Sequence, residues 1–215
     1  MVTKQDVIKA LDQLKDSKKK FNQSYDLVIN LKSLDLKKPE NQLDFYPTLH
    51  STLGKPIKVC ALIGPELEGE AKNVDHYLVE KDFEKYAKDP KAAKKLADQY
   101  DYFIAQANIM PKIATVFGRV FGPRKKMPNP KAGCVVPPKF ALKPLYDKLQ
   151  KTVHVFAKEK LIIQVRIGSE EQKPEEIADN VETIITMIVQ KLPLEKNNIK
   201  SIFIKKTMSK PVRLM

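Results

Sequence analysis

Two short segments of this chain set aromatic, hydroxyl and cationic side chains close together. The first is Lys20-Phe21-Asn22-Gln23-Ser24, running on to Asp26. The second is Ser201 to Met208, where Ser201, Phe203 and Lys205 alternate along a strand pattern and Lys206, Thr207 and Met208 follow. Aromatic rings stack on unpaired bases, hydroxyls and amides bond to 2′-hydroxyls and base edges, and cations meet phosphates, so the mixture suits contact with RNA. Either segment alone also fits an ordinary strand with one wet face. Hydrolytic and metal chemistry has less to build on. His50, His76 and His154 lie far apart without an HExxH frame, and no GxSxG elbow occurs. The acidic pairs Glu170-Glu171 and Glu175-Glu176 flank Pro174 at an expected helix start, where the helix dipole favours negative charge. Val116 to Pro130, VFGRVFGPRKKMPNP, mixes glycine, proline and cations as an anion-wrapping loop would. However, Gly118 and Gly122 stand in neither a GK[ST] nor a GxGxxG frame, which argues against a nucleotide-hydrolysing site.

The charge balance points the same way. Lys and Arg number 39 against 26 Asp and Glu, a formal charge of +13, in a chain with 42% hydrophobic residues. A folded surface carrying that excess attracts polyanions, and nucleic acid leads the candidates. The excess is uneven, at 9 to 7 over residues 1–52, 19 to 11 over 53–151 and 11 to 8 over 152–215. Residues 112–151 hold ten Lys or Arg against the single acid Asp147. Cys60 and Cys134 form no CxxC pair, so neither a zinc site nor a disulfide scaffold is expected, and a reducing cytoplasmic setting fits. No signal-peptide core and no membrane-length apolar run is read. A basic membrane-surface protein is disfavoured, because no segment joins a broad apolar face to an acid-free basic one.

The elements that must carry these groups alternate between strand and helix. Thr3 and Asp6 resemble a capping box ahead of Val7, Ile8, Leu11 and Leu14, a helix whose far end carries Lys15, Lys18, Lys19 and Lys20. Tyr25 to Leu31 alternates as a half-buried strand, and Lys37 to Pro47 reads as a long loop or edge connection. Ile57 to Ile63 is the apolar run of a strand in a parallel sheet. Helices around Glu80–Lys88, Lys91–Gln99 and Lys112–Phe117, a strand at Tyr102–Ala105 and a last helix near Pro144–Leu149 complete a three-layer unit. Thr152–Ala157 and Leu161–Ile167 are expected to pair as a hairpin. Pro174–Gln190 carries Ile177, Val181, Ile184, Ile185 and Ile188 on one stripe, and Ile199–Ile204 is a final strand. The expected organisation is α/β with two domains. A discontinuous α/β sandwich-like domain (1–52 and 152–215) holds an inserted Rossmann-like three-layer domain (53–151).

The run Phe121-Gly-Pro-Arg-Lys-Lys-Met-Pro-Asn-Pro-Lys131 is similar to the LGPRGxMPNPK signature of the universal L-one family of large-subunit ribosomal proteins. Ser201-Ile-Phe-Ile-Lys-Lys-Thr-Met-Ser-Lys-Pro211 resembles that family's S-[VIL]-x-[VIL]-x-x-TMG-x-P element, Phe21–Asp26 its KFxxTxE element and Leu53-Gly54-Lys55 its GLGK stretch. The resemblance spans essentially the whole chain and leans to the archaeal style. It implies a non-enzymatic protein without cofactor, whose partners are the stalk of large-subunit ribosomal RNA, exit-site tRNA and its own messenger RNA, which it would repress. It further implies a monomer when free, with no membrane partner. RNA contacts carried over by position fall on Lys20, Phe21, Ser24, Asp26, Gly168, Ser201, Thr207 and Met208. Lys205 joins them from the strand pattern, and Arg124, Lys125, Lys126 and Lys131 are the expected secondary phosphate contacts. Ser209 stands where the family has glycine and Asp26 where it has glutamate, so the turn at Ser209 must either differ or hold a strained serine. Two domains on a short double hinge are expected to share few contacts and a variable cleft.

Overall fold

The computed structural model describes residues 2–15 and 19–215, so Lys18, counted above in the basic end of the first helix, lies outside the described residues. The capping box forms. The Thr3 hydroxyl accepts from the Asp6 amide while the Asp6 carboxylate accepts from Thr3 N at 2.9 Å, opening helix α1 (Lys4–Gln13). Then follow β1 (Ser24–Leu31), β2 (Leu43–Phe45), β3 (Val59–Ile63), β4 (His76–Val79), α2 (Phe83–Lys88), α3 (Pro90–Gln99), β5 (Tyr102–Gln106) and α4 (Met110–Phe121). The chain continues through β6 (Val135–Val136), α5 (Leu142–Leu149), β7 (Val155–Ala157), β8 (Ile162–Ser169), α6 (Pro174–Lys191), β9 (Ile199–Lys206) and β10 (Val212–Arg213). These elements sort into two compact units, Met1–Lys55 with Lys151–Met215, and Pro56–Gln150.

In the first unit an antiparallel sheet has the order β10-β9-β1-β8. Alternation puts Tyr25, Leu27, Ile29 and Leu31 of β1 on one buried face beside Ile163, Val165 and Ile167 of β8 and Ile202 and Ile204 of β9. Helix α6 covers that face with Ile177, Val181, Ile184 and Ile188, all at most 1% exposed. Burying each such side chain is worth about 1.5–3 kcal/mol, which outweighs the weak helix propensity of the isoleucines. The expected hairpin between residues 152–157 and 161–167 does not form. β7 instead pairs with β2, Leu43 opposite Ala157, while β8 pairs with β1. The first strand of the supposed hairpin thus goes to the segment read as a loop, because three residues between prolines are too short to show alternation in sequence.

The second unit is a parallel sheet of order β4-β3-β5-β6. All five residues of β3 are buried, as a strand covered on both faces requires. On one face Cys60, Leu62, Leu78 and Phe103 pack with Phe83, Leu96, Ile113, Phe117 and Phe121 from the three helices α2 to α4. The Phe103 and Phe121 rings stand 4.3 Å apart. Burial pushes the Cys60 and Cys134 thiols up to about 12 and about 11, so both stay protonated and act as apolar filling. Open α/β sheets take ligands where strand order reverses, here at the carboxyl ends of β3 and β5. That place is filled by the Gln106 side chain, which accepts from Gly64 N at 2.8 Å and donates to Glu66 at 3.0 Å.

Gly54 occupies the left-handed region, φ 75°, and a Cβ added there would lie 2.1 Å from Ser169 Oγ. Gly54→Ala should therefore lower unfolding free energy by roughly 2–4 kcal/mol, combining backbone strain with overpacking. Urea denaturation checks it, and a loss under about 0.5 kcal/mol would mean the segment relaxes freely.

Candidate nucleic-acid interface

β1 and β9 are neighbours, with Tyr25 opposite Lys206, Asp26 opposite Lys205 and Asn30 opposite Ser201. The two segments singled out in the sequence therefore meet at one end of one sheet. Thr207 N donates to Ser24 O at 3.1 Å, Ser24 N donates to Thr207 Oγ1 at 3.3 Å, and the two hydroxyls lie 3.1 Å apart. A tight turn follows, closed by Ser209 N donating to Lys206 O at 3.2 Å. The Ser209 hydroxyl accepts from Lys206 N at 2.8 Å, a bond glycine cannot make, and Ser209 is not among the residues with positive φ. The turn accommodates serine without left-handed strain.

Beneath this end lies a buried ion pair. Lys206 Nζ sits 2.6 Å from Glu170 Oε1, with the lysine side chain only 3% exposed, and lies 5.7 Å from the centre of the Tyr25 ring. Glu170 also accepts from Gln23 N at 3.1 Å and Gln23 Nε2 at 3.4 Å, and Gln23 Oε1 accepts from Met208 N at 3.1 Å. One carboxylate thus ties both segments together. Partial burial pushes the Glu170 carboxyl up, but the Lys206 ammonium and the Gln23 donors outweigh it and hold the group below its ordinary range. Two sequence expectations change here. The sequence pattern puts Glu170 at the helix start, yet Glu175 and Glu176 alone occupy the first turn of α6, and Glu170 serves the ion pair. Lys206 belongs to the segment expected to meet RNA, but it points to the helix side.

On the opposite face of the sheet, Asp26 lies between Lys205 of β9 and Arg166 of β8. Burial raises the Asp26 carboxyl above its ordinary range, against the pull of Lys205 and Arg166. Ser201 is largely buried and accepts from Asn30 Nδ2 at 2.9 Å. Phe21 and Met208 stand 51% and 64% exposed, apolar groups offered to solvent on either side of the Ser24–Thr207 clamp. Lys20 is exposed beside Phe21. Gly168 behaves differently. A Cβ there would meet Gln172 Oε1 at 2.7 Å and Ile177 Cγ1 at 3.0 Å, so this glycine allows α6 to pack closely. Arg166 and Glu170 escaped sequence reading as site residues, whereas Gln23, within the first segment, turns inward to Glu170 and Met208 N. Only the strand register, which puts Arg166 opposite Asp26, exposes the arginine.

Arg124, Lys125, Lys126 and Lys131 lie in the other unit. Lys126 Nζ donates to Ala97 O at 2.6 Å and Tyr100 O at 2.7 Å, capping the carboxyl end of α3, and Arg124 Nε lies 3.2 Å from Asp98 Oδ1. Lys125 takes φ 57°, at the position where the signature quoted above has glycine. Lys131 is exposed, its amide donating to Asn129 Oδ1 at 2.9 Å. The loop's cations therefore divide between internal and outward tasks.

Glu170→Gln should cost about 3–5 kcal/mol, because it leaves the Lys206 ammonium buried with a neutral partner, whereas Glu170→Gln/Lys206→Met should recover most of that loss. Equal losses in both variants would remove the pair from its structural role. The lowered Glu170 carboxyl adds stability that is complete above its unfolded value and fades as pH falls through the folded one, so the two-residue variant should show a shallower acid limb in urea midpoints. Lys126→Met should cost about 1–3 kcal/mol through the freed α3 carbonyls, and an unchanged denaturation midpoint would count against that cap.

The profile of the ribosomal protein L1p/L10e family matches residues 13–210. The chain is 40% identical over 215 residues to large ribosomal subunit protein uL1 of Methanobrevibacter smithii, covering 98% of this chain and 99% of that one. It is 36% identical to the protein of the same name from Methanothermobacter thermautotrophicus, with the same coverage. With that of Pyrobaculum calidifontis it shares 38% over 218 residues, covering 100% of this chain and 95% of the relative. With the two-unit α/β architecture and a match running nearly end to end, the chain belongs to the ribosomal protein L1p/L10e family.

Proposed function

We propose that this protein is a structural, non-enzymatic constituent of the large ribosomal subunit that binds ribosomal RNA through the end of its first unit. The observation that carries this reading is the Ser24–Thr207 clamp, which joins two distant segments and sets exposed Phe21 and Met208 beside it. A rigid sheet end offering hydroxyls, backbone groups, Lys20, Lys205 and two apolar caps suits a folded RNA junction read by shape, 2′-hydroxyls and phosphates. The finer reading is that the RNA is the stalk near the tRNA exit site, where the protein assists release of exit-site tRNA. A similar hairpin in its own messenger would let the protein repress its translation. Free in the cytoplasm it would be a monomer. The domain limits 1–52 with 152–215, and 53–151, divide the work between specific contacts in the first domain and electrostatic attraction from the insert.

Filter binding to large-subunit stalk RNA and to a scrambled duplex of equal length, at low and near-physiological salt, tests the reading. A preference for the stalk that persists at higher salt is expected, and equal, salt-labile binding to both would reduce the protein to a basic surface. Met208→Ala should weaken stalk binding about tenfold, and retained affinity would take the turn out of the interface. Replacing Arg124 and Lys125 by serine, with the Lys126 cap intact, should flatten the salt dependence by roughly 0.9 per lost phosphate contact. An unchanged slope would leave that loop structural.

A further inference from the structure

A concave groove of about 890 Å³ opens on the helix side of the proposed interface, between the carboxyl end of α1 and the loop from β8 to α6. Its floor includes Tyr25 and Lys206, and its walls include Lys19, Lys20, Phe21, Asn22 and Glu171. Phe21 is half exposed, and Lys19, Lys20 and Glu171 are exposed. Among the described residues none of these three charges is paired with another, although both signs line one groove. Unpaired charges of both signs lining one groove with an aromatic side chain suit a complement that carries both an anion and hydrogen-bond donors. A simple phosphate would have no use for the carboxylate, and a cation would be repelled by the lysines.

We propose that this groove receives one unpaired guanine nucleotide of the bound RNA. The volume is within the range of sites for small molecules, about 300–1,000 Å³. The base stacks on Phe21, and the Glu171 carboxylate accepts from the guanine N1–H and 2-amino group, two parallel donors that match its two oxygens. Lys19 and Lys20 meet the flanking phosphates. Lys20 and Phe21 belong to both the groove and the sheet end, so a nucleotide turned out of an RNA junction there reaches the groove without leaving the interface. The assignment rests on the RNA-binding reading of that end and adds to it a base and a residue, Glu171, that touches it.

NMR titration of the full chain with 5′-GMP, 5′-CMP and inorganic phosphate tests this apart from any stalk RNA. GMP should shift the Phe21 and Glu171 amides and bind about tenfold tighter than CMP, the difference made by a charge-assisted pair of bonds. Glu171→Gln, at an exposed position, should erase the preference for GMP, and Phe21→Leu should weaken both nucleotides. No saturable response, equal GMP and CMP binding, or phosphate binding as tightly as GMP would overturn the proposal. If stalk preference in filter binding survives while GMP binding fails, only the groove falls. If stalk preference is itself absent, the interface falls.

Discussion

A lysine ammonium almost wholly withdrawn from water is the constraint on which the end of the first unit depends. Removing such a charge from solvent costs several kcal/mol, and only a partner of opposite sign at bonding distance with its own hydrogen bonds offsets that cost. Glu170 is that partner for Lys206, and its remaining acceptor capacity is taken by the Gln23 backbone and amide. Because Gln23 in turn accepts from Met208 N, the pair fixes the approach to β1 and the turn after β9 in one geometry. The exposed groups above it inherit that geometry. A loose Phe21 or Met208 would lose side-chain and backbone entropy on binding RNA, and a pre-set one does not.

Much of this organisation was legible in the sequence, for identifiable reasons. The capping box at Thr3, the alternation of Tyr25–Leu31 and the isoleucine stripe of α6 are local periodicities, each enforced by burial against one partner. The two candidate segments were visible because aromatic, hydroxyl and cationic residues there do not serve the core pattern. What escaped was non-local. β2 and β4 are short and gain their partners only from the sheet, and β7 goes to β2 across more than a hundred residues. The tasks of Glu170 and Lys206 depend on pairing across two strand ends, and no spacing in the chain announces it. Gly168 was legible as special through the resemblance, but its demand is close packing against α6.

The insert shows how charge count and charge use differ. Its basic excess is a sequence fact, yet Lys126 is committed to the end of α3, Arg124 lies against Asp98, and Lys112 is paired with Glu80. Exposed pairs of the last two kinds are worth little, about 0–1 kcal/mol, and an RNA phosphate can compete for them, whereas the Lys126 cap is a structural commitment. The same unit places the Gln106 side chain in the crevice where a nucleotide would sit in a related architecture, bonded there to Gly64 and Glu66.

On this account Phe21 and Met208, carried on the two segments that the buried pair joins, act on RNA as one surface. A double-mutant cycle with Phe21→Ala and Met208→Ala, read as affinity for stalk RNA, measures it directly. A coupling of at least about 0.5 kcal/mol is expected for groups sharing one network, and additivity within about 0.3 kcal/mol would mean that the two segments bind independently and that the sheet end is not a single site.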